Sequence, residues 1–108
     1  MATVVNKLVR DKVPDLIRSD GKTPNVEILQ SDIDYVDQLM NKLEEEVAEV
    51  RATKNKTDLL RELADVAEVS RALAVVHGLS ATAIEQVRIT RHFERGGFAK
   101  RIFLESVG

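Results

Sequence analysis

Four carboxylates in this chain are spaced so that they can act together: Glu46 and Glu49 in the run Glu44-Glu45-Glu46-Val47-Ala48-Glu49, and the pair in Glu62-Leu63-Ala64-Asp65. Residues three apart share one helical face, so Glu46 with Glu49, and Glu62 with Asp65, can each aim two carboxylates at one place. Acids gathered in this way repel one another and resist ionisation unless a cation neutralises them. The chain has no cysteine and only 2 histidines, so ligation falls to oxygen, which favours Mg²⁺, with Mn²⁺ as a substitute, over Zn²⁺ or Cu²⁺. Waters kept by such an ion are potential nucleophiles.

A run such as Glu44-Glu45-Glu46, taken alone, is more often a solvated helix face paired with basic residues along it. The second, mirrored pair separates this sequence from that case. Glu44 and Glu45 are read as facing solvent, and Glu68, a turn after Asp65, as a supporting acid or further ligand.

The elements that must position these acids follow from apolar spacing. Ile33, Val36, Met40, Leu43, Val47 and Val50 recur at alternating intervals of three and four, which predicts a long helix packed lengthwise on another. Ser31 is its expected N-cap. After the polar break 53–57, the stripe Leu59, Leu63, Val66, Leu73, Val76 predicts a second helix, capped by Thr57 or Asp58 and followed by Gly78. Two long helices across a short polar turn form an antiparallel hairpin. With Ile33 and Val36 as heptad positions a and d, Glu46 and Glu49 fall at g and c on one flank of the seam, and Glu62 and Asp65 fall likewise when Leu63 is a. Mirrored about a point between Asn55 and Lys56, Glu46 faces Asp65 and Glu49 faces Glu62.

Elsewhere the pattern is weaker. Pro14 suits the first turn of a short helix running to about Arg18. The run 24–29 is loop or an isolated strand, and the tail 98–104 pairs with it or with another subunit. A third helix starts at Ser80 and ends at Gly96-Gly97. The expected fold is all-α: a hairpin plus shorter helices, completing a four-helix-type core on dimerisation, because faces such as Leu60 with Val69 exceed what one chain covers.

Basic residues gather at both ends. Lys7, Arg10 and Lys12 near the start, and Arg88, Arg91, Arg95 and Lys100 toward the end, are candidate phosphate contacts, with Arg88, Arg91 and Arg95 on one stripe of the third helix. Such a stripe is also common as a solvated face or an intersubunit salt-bridge partner. His77, beside Gly78, suits a structural role at a helix C-terminus, and His92 suits phosphate or an interface. Tyr35, Phe93 and Phe98 are among the few rings in an aromatic-poor chain (4%) and are read as core before base-stacking groups.

Quoted as motifs, Glu45-Glu46-Val47-Ala48-Glu49 followed by Glu62-Leu63-Ala64-Asp65 resembles the signature of the MazG-like branch of the all-α nucleoside triphosphate pyrophosphohydrolases: Glu-Glu-x-x-Glu, a gap of a dozen or more residues, then Glu-x-x-Asp. Lys7-Leu8-Val9-Arg10-Asp11-Lys12-Val13-Pro14 and Arg95-Gly96-Gly97-Phe98 look like the opening and closing motifs of a phosphoribosyl-ATP pyrophosphohydrolase-like subgroup. The resemblance implies Mg²⁺-dependent hydrolysis of a nucleoside triphosphate to monophosphate and pyrophosphate. It implies metal ligands at Glu46, Glu49, Glu62 and Asp65, a proton acceptor at Glu45 or Glu49, and a homodimer or homotetramer. House-cleaning of modified nucleotides ranks above a step of histidine synthesis. A non-catalytic helical dimer, its acids bridged to the third helix's arginines, is the competing expectation.

Bulk properties bound these readings. A length of 108 residues allows one domain, 1–108, and 44% apolar against 31% charged residues predicts a folded chain. A net charge of −2 gives no electrostatic ground for a nucleic-acid polymer or an anionic membrane as partner. With no long apolar run, the expected setting is soluble and cytoplasmic.

Overall fold

The computed structural model describes residues 2–108, and among them every regular element is a helix: α1 (Val13–Ser19), α2 (Asp32–Ala52), α3 (Lys56–Val76) and α4 (Ala81–Arg95). Of the two readings of 24–29 the loop holds, and the expected strand pairing of the tail 98–104 is not formed among the described residues, since both runs carry no regular structure. An isolated strand without a partner ladder gains too little to persist in water. No described helix is long and apolar enough to cross a membrane.

Each long helix begins on a side-chain cap. The Ser31 hydroxyl accepts from the Asp34 amide at 3.4 Å, and the Ser80 hydroxyl from the Ala83 amide at 3.0 Å. The cap of α3 is Asn55, ahead of the expected Thr57 or Asp58. Its side-chain oxygen accepts from the Asp58 amide at 2.9 Å while its Nδ2 donates to the Asp58 carboxylate at 2.9 Å. This reciprocal pair satisfies an orphan backbone donor and leaves Thr57 and Asp58 free to join the first turn, where the acid also suits the helix dipole. Asn55→Ala is expected to cost about 1 kcal/mol, read as a lower urea midpoint at unchanged slope.

The far end of α3 closes as a Schellman turn: the Leu79 amide donates to the Ala74 carbonyl at 2.8 Å and the Gly78 amide to that of Val75 at 3.0 Å, with Gly78 at φ +70°. His77 Nδ1 lies 2.7 Å from the Leu73 carbonyl oxygen, where it donates its proton, in keeping with a structural role. α4 stops at Gly96, whose φ of 83° and ψ of −179° suit only glycine.

α2 and α3, joined by residues 53–55, are the one extensively packed helix pair among the described residues. Their shared seam differs from the expected stripes. On α2 the covered positions are Val36, Leu39, Leu43, Glu46 and Val50, while Ile33, Met40 and Val47 are exposed. On α3, Glu62, Asp65, Val66, Val69, Leu73 and Val76 are at least half covered, and Leu59 and Leu63 turn outward. Each helix is thus rotated so that acids enter the seam and a second apolar row is left bare. Leu39 is 3% exposed and Val69, expected to need covering, is 8% exposed within its own chain.

The apolar core is small: among the described residues only Leu39, Val69 and Ala74 are buried hydrophobic residues. The chain exposes 10006 Å², where a compact monomer of this mass exposes about 6,000 Å². Its radius of gyration is 18.1 Å against about 13 Å for a compact domain. α4 buries none of its residues.

Candidate metal centre

Glu46 projects from the middle of α2 and is 8% exposed, the one buried charged residue among those described. Across the seam α3 offers Glu62 and Asp65, three residues apart on the same face. One oxygen from each of Glu46, Glu62 and Asp65 falls within 4.8 Å of the others, a spacing at which the three can share a cation. The connection explains the register. Glu46 and Glu62 each stand eight residues from Lys54, the middle of 53–55, so they face one another, and Asp65 follows one turn later. The earlier cap at Asn55 moves the mirror point from its expected place between Asn55 and Lys56.

Glu49 does not join these three. It borders an open depression of about 270 Å³ beside them, lined also by Thr53, Asp58, Arg61 and Glu62, so Glu62 belongs to both features. Glu62 Oε2 is buried and has no hydrogen-bond partner. An orphaned carboxylate oxygen is costly to bury and is suited to a cation.

The hydrogen bond to Glu46 is the main cause that pushes the Glu62 carboxyl from 4.5 up to about 7, followed by burial and by the charges of Glu46, Asp65 and Glu49. In that interval the folded chain keeps a proton that the unfolded chain has released. Stability without metal should therefore fall as the pH rises from 4.5 to about 7. Melting in EDTA across this window checks the sign, and Glu62→Gln should flatten the slope; a wild-type melting temperature that climbs through the window would refute it. Glu45 works the other way and at lower pH. The hydrogen bond from Lys7 holds its carboxyl below 4.5, with Lys42 adding to the effect and burial opposing it, so its contribution is lost only as the pH drops beneath the ordinary carboxylate range.

Three cations meet the acids. Lys42, one turn before them on α2, lies 3.3 Å from Glu45 Oε2 and 3.6 Å from Glu46 Oε1. Lys7 Nζ is 3.0 Å from Glu45 Oε1, and Arg10 Nη2 is 2.6 Å from Asp65 Oδ1. The segment before α1 therefore crosses both long helices, touching α2 through Lys7 and α3 through Arg10. Lys42 was missed in the sequence, although its spacing of three and four from Glu45 and Glu46 is the ordinary helical ion-pair signal.

The other basic candidates lie elsewhere. Arg88 pairs with Glu85 on its own helix, at 2.6 Å from Nη2 and 3.0 Å from Nε, which raises its pKa and lowers that of Glu85. No ion pair joins Arg91, Arg95 or Lys100 to an acid among the described residues, and α4 has no extensive packing on α2 or α3. Lys12 sits at the start of α1 without a side-chain cap bond. Phe93 and Phe98, expected in the core, are 85% and 98% exposed. Without a second layer over α4 there is no core for them to enter.

No protein-family profile matches this chain, and no solved structure matches it. An uncharacterized protein of Mycolicibacterium smegmatis (strain ATCC 700084 / mc(2)155) is 50% identical to it over 50 residues, 46% of this chain and 50% of that protein. The chain thus spans about half the length of the curated relative it matches.

Proposed function

We propose that the protein hydrolyses a nucleoside triphosphate, modified bases included, to the monophosphate and pyrophosphate with Mg²⁺ at the acid cluster. The observation that carries this reading is the convergence of Glu46, Glu62 and Asp65 from two helices within 4.8 Å, with a buried and unpartnered oxygen on Glu62. The sequence motifs around these acids supply the reaction class.

In this reading Glu46, Glu62 and Asp65 hold the ion, and Glu49 completes the set from the adjacent depression. When bound there, Mg²⁺ supplies charge neutralisation for a polyphosphate and makes a water more acidic. Glu49 is the better proton acceptor: two lysines engage Glu45 and depress its basicity, whereas Glu49 lines open space beside Glu62. Glu45 then serves to anchor Lys7 and Lys42. Lys7 and Arg10 reach the cluster within one chain and are the nearest phosphate contacts. Arg91, Arg95 and Lys100 serve a site only from a second copy, because α4 of the same chain is not packed over the acids.

Assembly into a homodimer or homotetramer belongs to the same proposal. The excess of exposed surface over that of a compact monomer, and the outward rows Ile33-Met40-Val47 on α2 and Leu59-Leu60-Leu63 on α3, give a second hairpin an apolar face to cover. A nucleotide in place of a polymer as ligand fits the near-neutral charge, and a cytoplasmic setting belongs to the same proposal.

Pyrophosphate release from a panel of ordinary and modified nucleoside triphosphates, with Mg²⁺, Mn²⁺ or EDTA, tests the activity. Metal-dependent release is the expected result. Complementation of histidine synthesis separates the phosphoribosyl-ATP reaction from the rest. The non-catalytic dimer has one supporting observation, that two cations, Lys42 on Glu46 and Arg10 on Asp65, already neutralise part of the cluster. It requires that neither Mg²⁺ nor Mn²⁺ has a saturable effect on melting.

A further inference from the structure

Residues 2–12 have no helix or strand, and in this stretch only Leu8 and Val9, the latter 40% exposed, are more than half covered among the large apolar residues. Yet the segment is placed across both long helices by two side chains, one on a cluster acid and one on its neighbour: Arg10 on Asp65 at 2.6 Å and Lys7 on Glu45, next to Glu46, at 3.0 Å. Lys42 differs from them. Its backbone is fixed in α2 one turn from Glu45 and Glu46, whereas Lys7 and Arg10 sit on a strip of chain with few other attachments.

Both strap pairs are solvent-accessible, with Arg10 58% and Asp65 37% exposed, so each holds the segment only weakly. A divalent ion at the three acids competes with Arg10 for the Asp65 carboxylate, and its charge repels the guanidinium and the ammonium together. The same two groups carry the donors that suit phosphate, a guanidinium fork and a point charge.

We propose that residues 2–12 are a two-position strap: without metal, Lys7 and Arg10 serve as the counter-charges of Glu45 and Asp65, and a divalent cation at the cluster displaces them and frees both for an anionic ligand. The inference rests on the metal-site reading of Glu46, Glu62 and Asp65. It adds a built-in order, in which cation entry precedes the capture of phosphate by the strap, so that the basic groups are withheld from anions until the acids are neutralised.

Mn²⁺ alone is the probe, with the free ion followed by electron paramagnetic resonance in the full-length protein. Arg10→Gln should bind Mn²⁺ about two- to fivefold tighter than wild type, the range set by one accessible ion pair. Lys12→Gln, which removes an equal charge nearby without breaking a pair, should leave affinity unchanged. A second readout follows the strap itself: in the wild-type protein, trypsin should cut after Lys7 faster in Mn²⁺ than in EDTA. Equal or weaker binding by Arg10→Gln, an equal gain in Lys12→Gln, or a cleavage rate indifferent to Mn²⁺ overturns the strap while leaving the metal site standing. Absence of saturable Mn²⁺ binding in wild type and Arg10→Gln alike removes the metal site, and the strap falls with it.

Discussion

Asp65→Ala is expected to reduce metal-dependent pyrophosphate release by at least about a hundredfold while leaving the chain folded. Asp65 supplies one of the three oxygens gathered within 4.8 Å and follows Glu62 by one turn of α3, so no neighbouring side chain can replace it at that position. Its structural role is slight. The side chain is 37% exposed and its partner Arg10 is 58% exposed, a kind of ion pair that contributes at most about 1 kcal/mol. Loss of its charge also relieves one of the repulsions that keep Glu62 protonated. The melting temperature in EDTA should therefore hold or rise as activity disappears, a divergence that separates a ligand from a packing residue. Turnover at the wild-type level would sink the enzymatic reading.

Leu60→Asp is expected to weaken self-association at least about thirtyfold, the effect of disrupting one strong interface position. Leu60 is 70% exposed in the single chain and neighbours Leu59 and Leu63, which also face outward. Nothing within the chain is lost by making it acidic. Across an apolar contact with a second hairpin, however, the same carboxylate is stranded away from water without a partner. Sedimentation equilibrium should show an oligomer for wild type and smaller species for the variant over the same concentrations. A wild-type protein that stays monomeric at high concentration would refute the assembly, and with it the supply of Arg91 and Arg95 from a second copy.

The four helices were largely legible because their signals are local. Ser31 and Ser80 cap α2 and α4 as their sequence contexts imply, and Pro14 sits in the first turn of α1. Errors arose where two local signals competed or where contacts were distant. Asn55 outranks Thr57 and Asp58 because it both accepts from and donates to Asp58, and this shift of the cap changes which acids oppose each other. The apolar stripe was ambiguous as well, since α2 carries two overlapping rows at helical spacing. A rule that seats apolar residues inside favours Met40 and Val47 over Glu46, and a buried acid breaks that rule at the positions read as functional. The pair Arg10 and Asp65 is 55 residues apart in sequence, and no periodicity connects an irregular segment to a helix at that distance.

The three-residue connection at 53–55 also bears on the order in which the structure arises. Contacts between neighbouring helices on a short link are close in sequence, and such pairs form early and fast compared with long-range pairings. α2 and α3 should meet before any second chain is encountered. The carboxylates Glu46, Glu62 and Asp65 are then brought together in a nascent, partly solvated hairpin, where their repulsion acts on the folding chain itself. A divalent cation or an acidic medium present at that stage should accelerate refolding by relieving that repulsion.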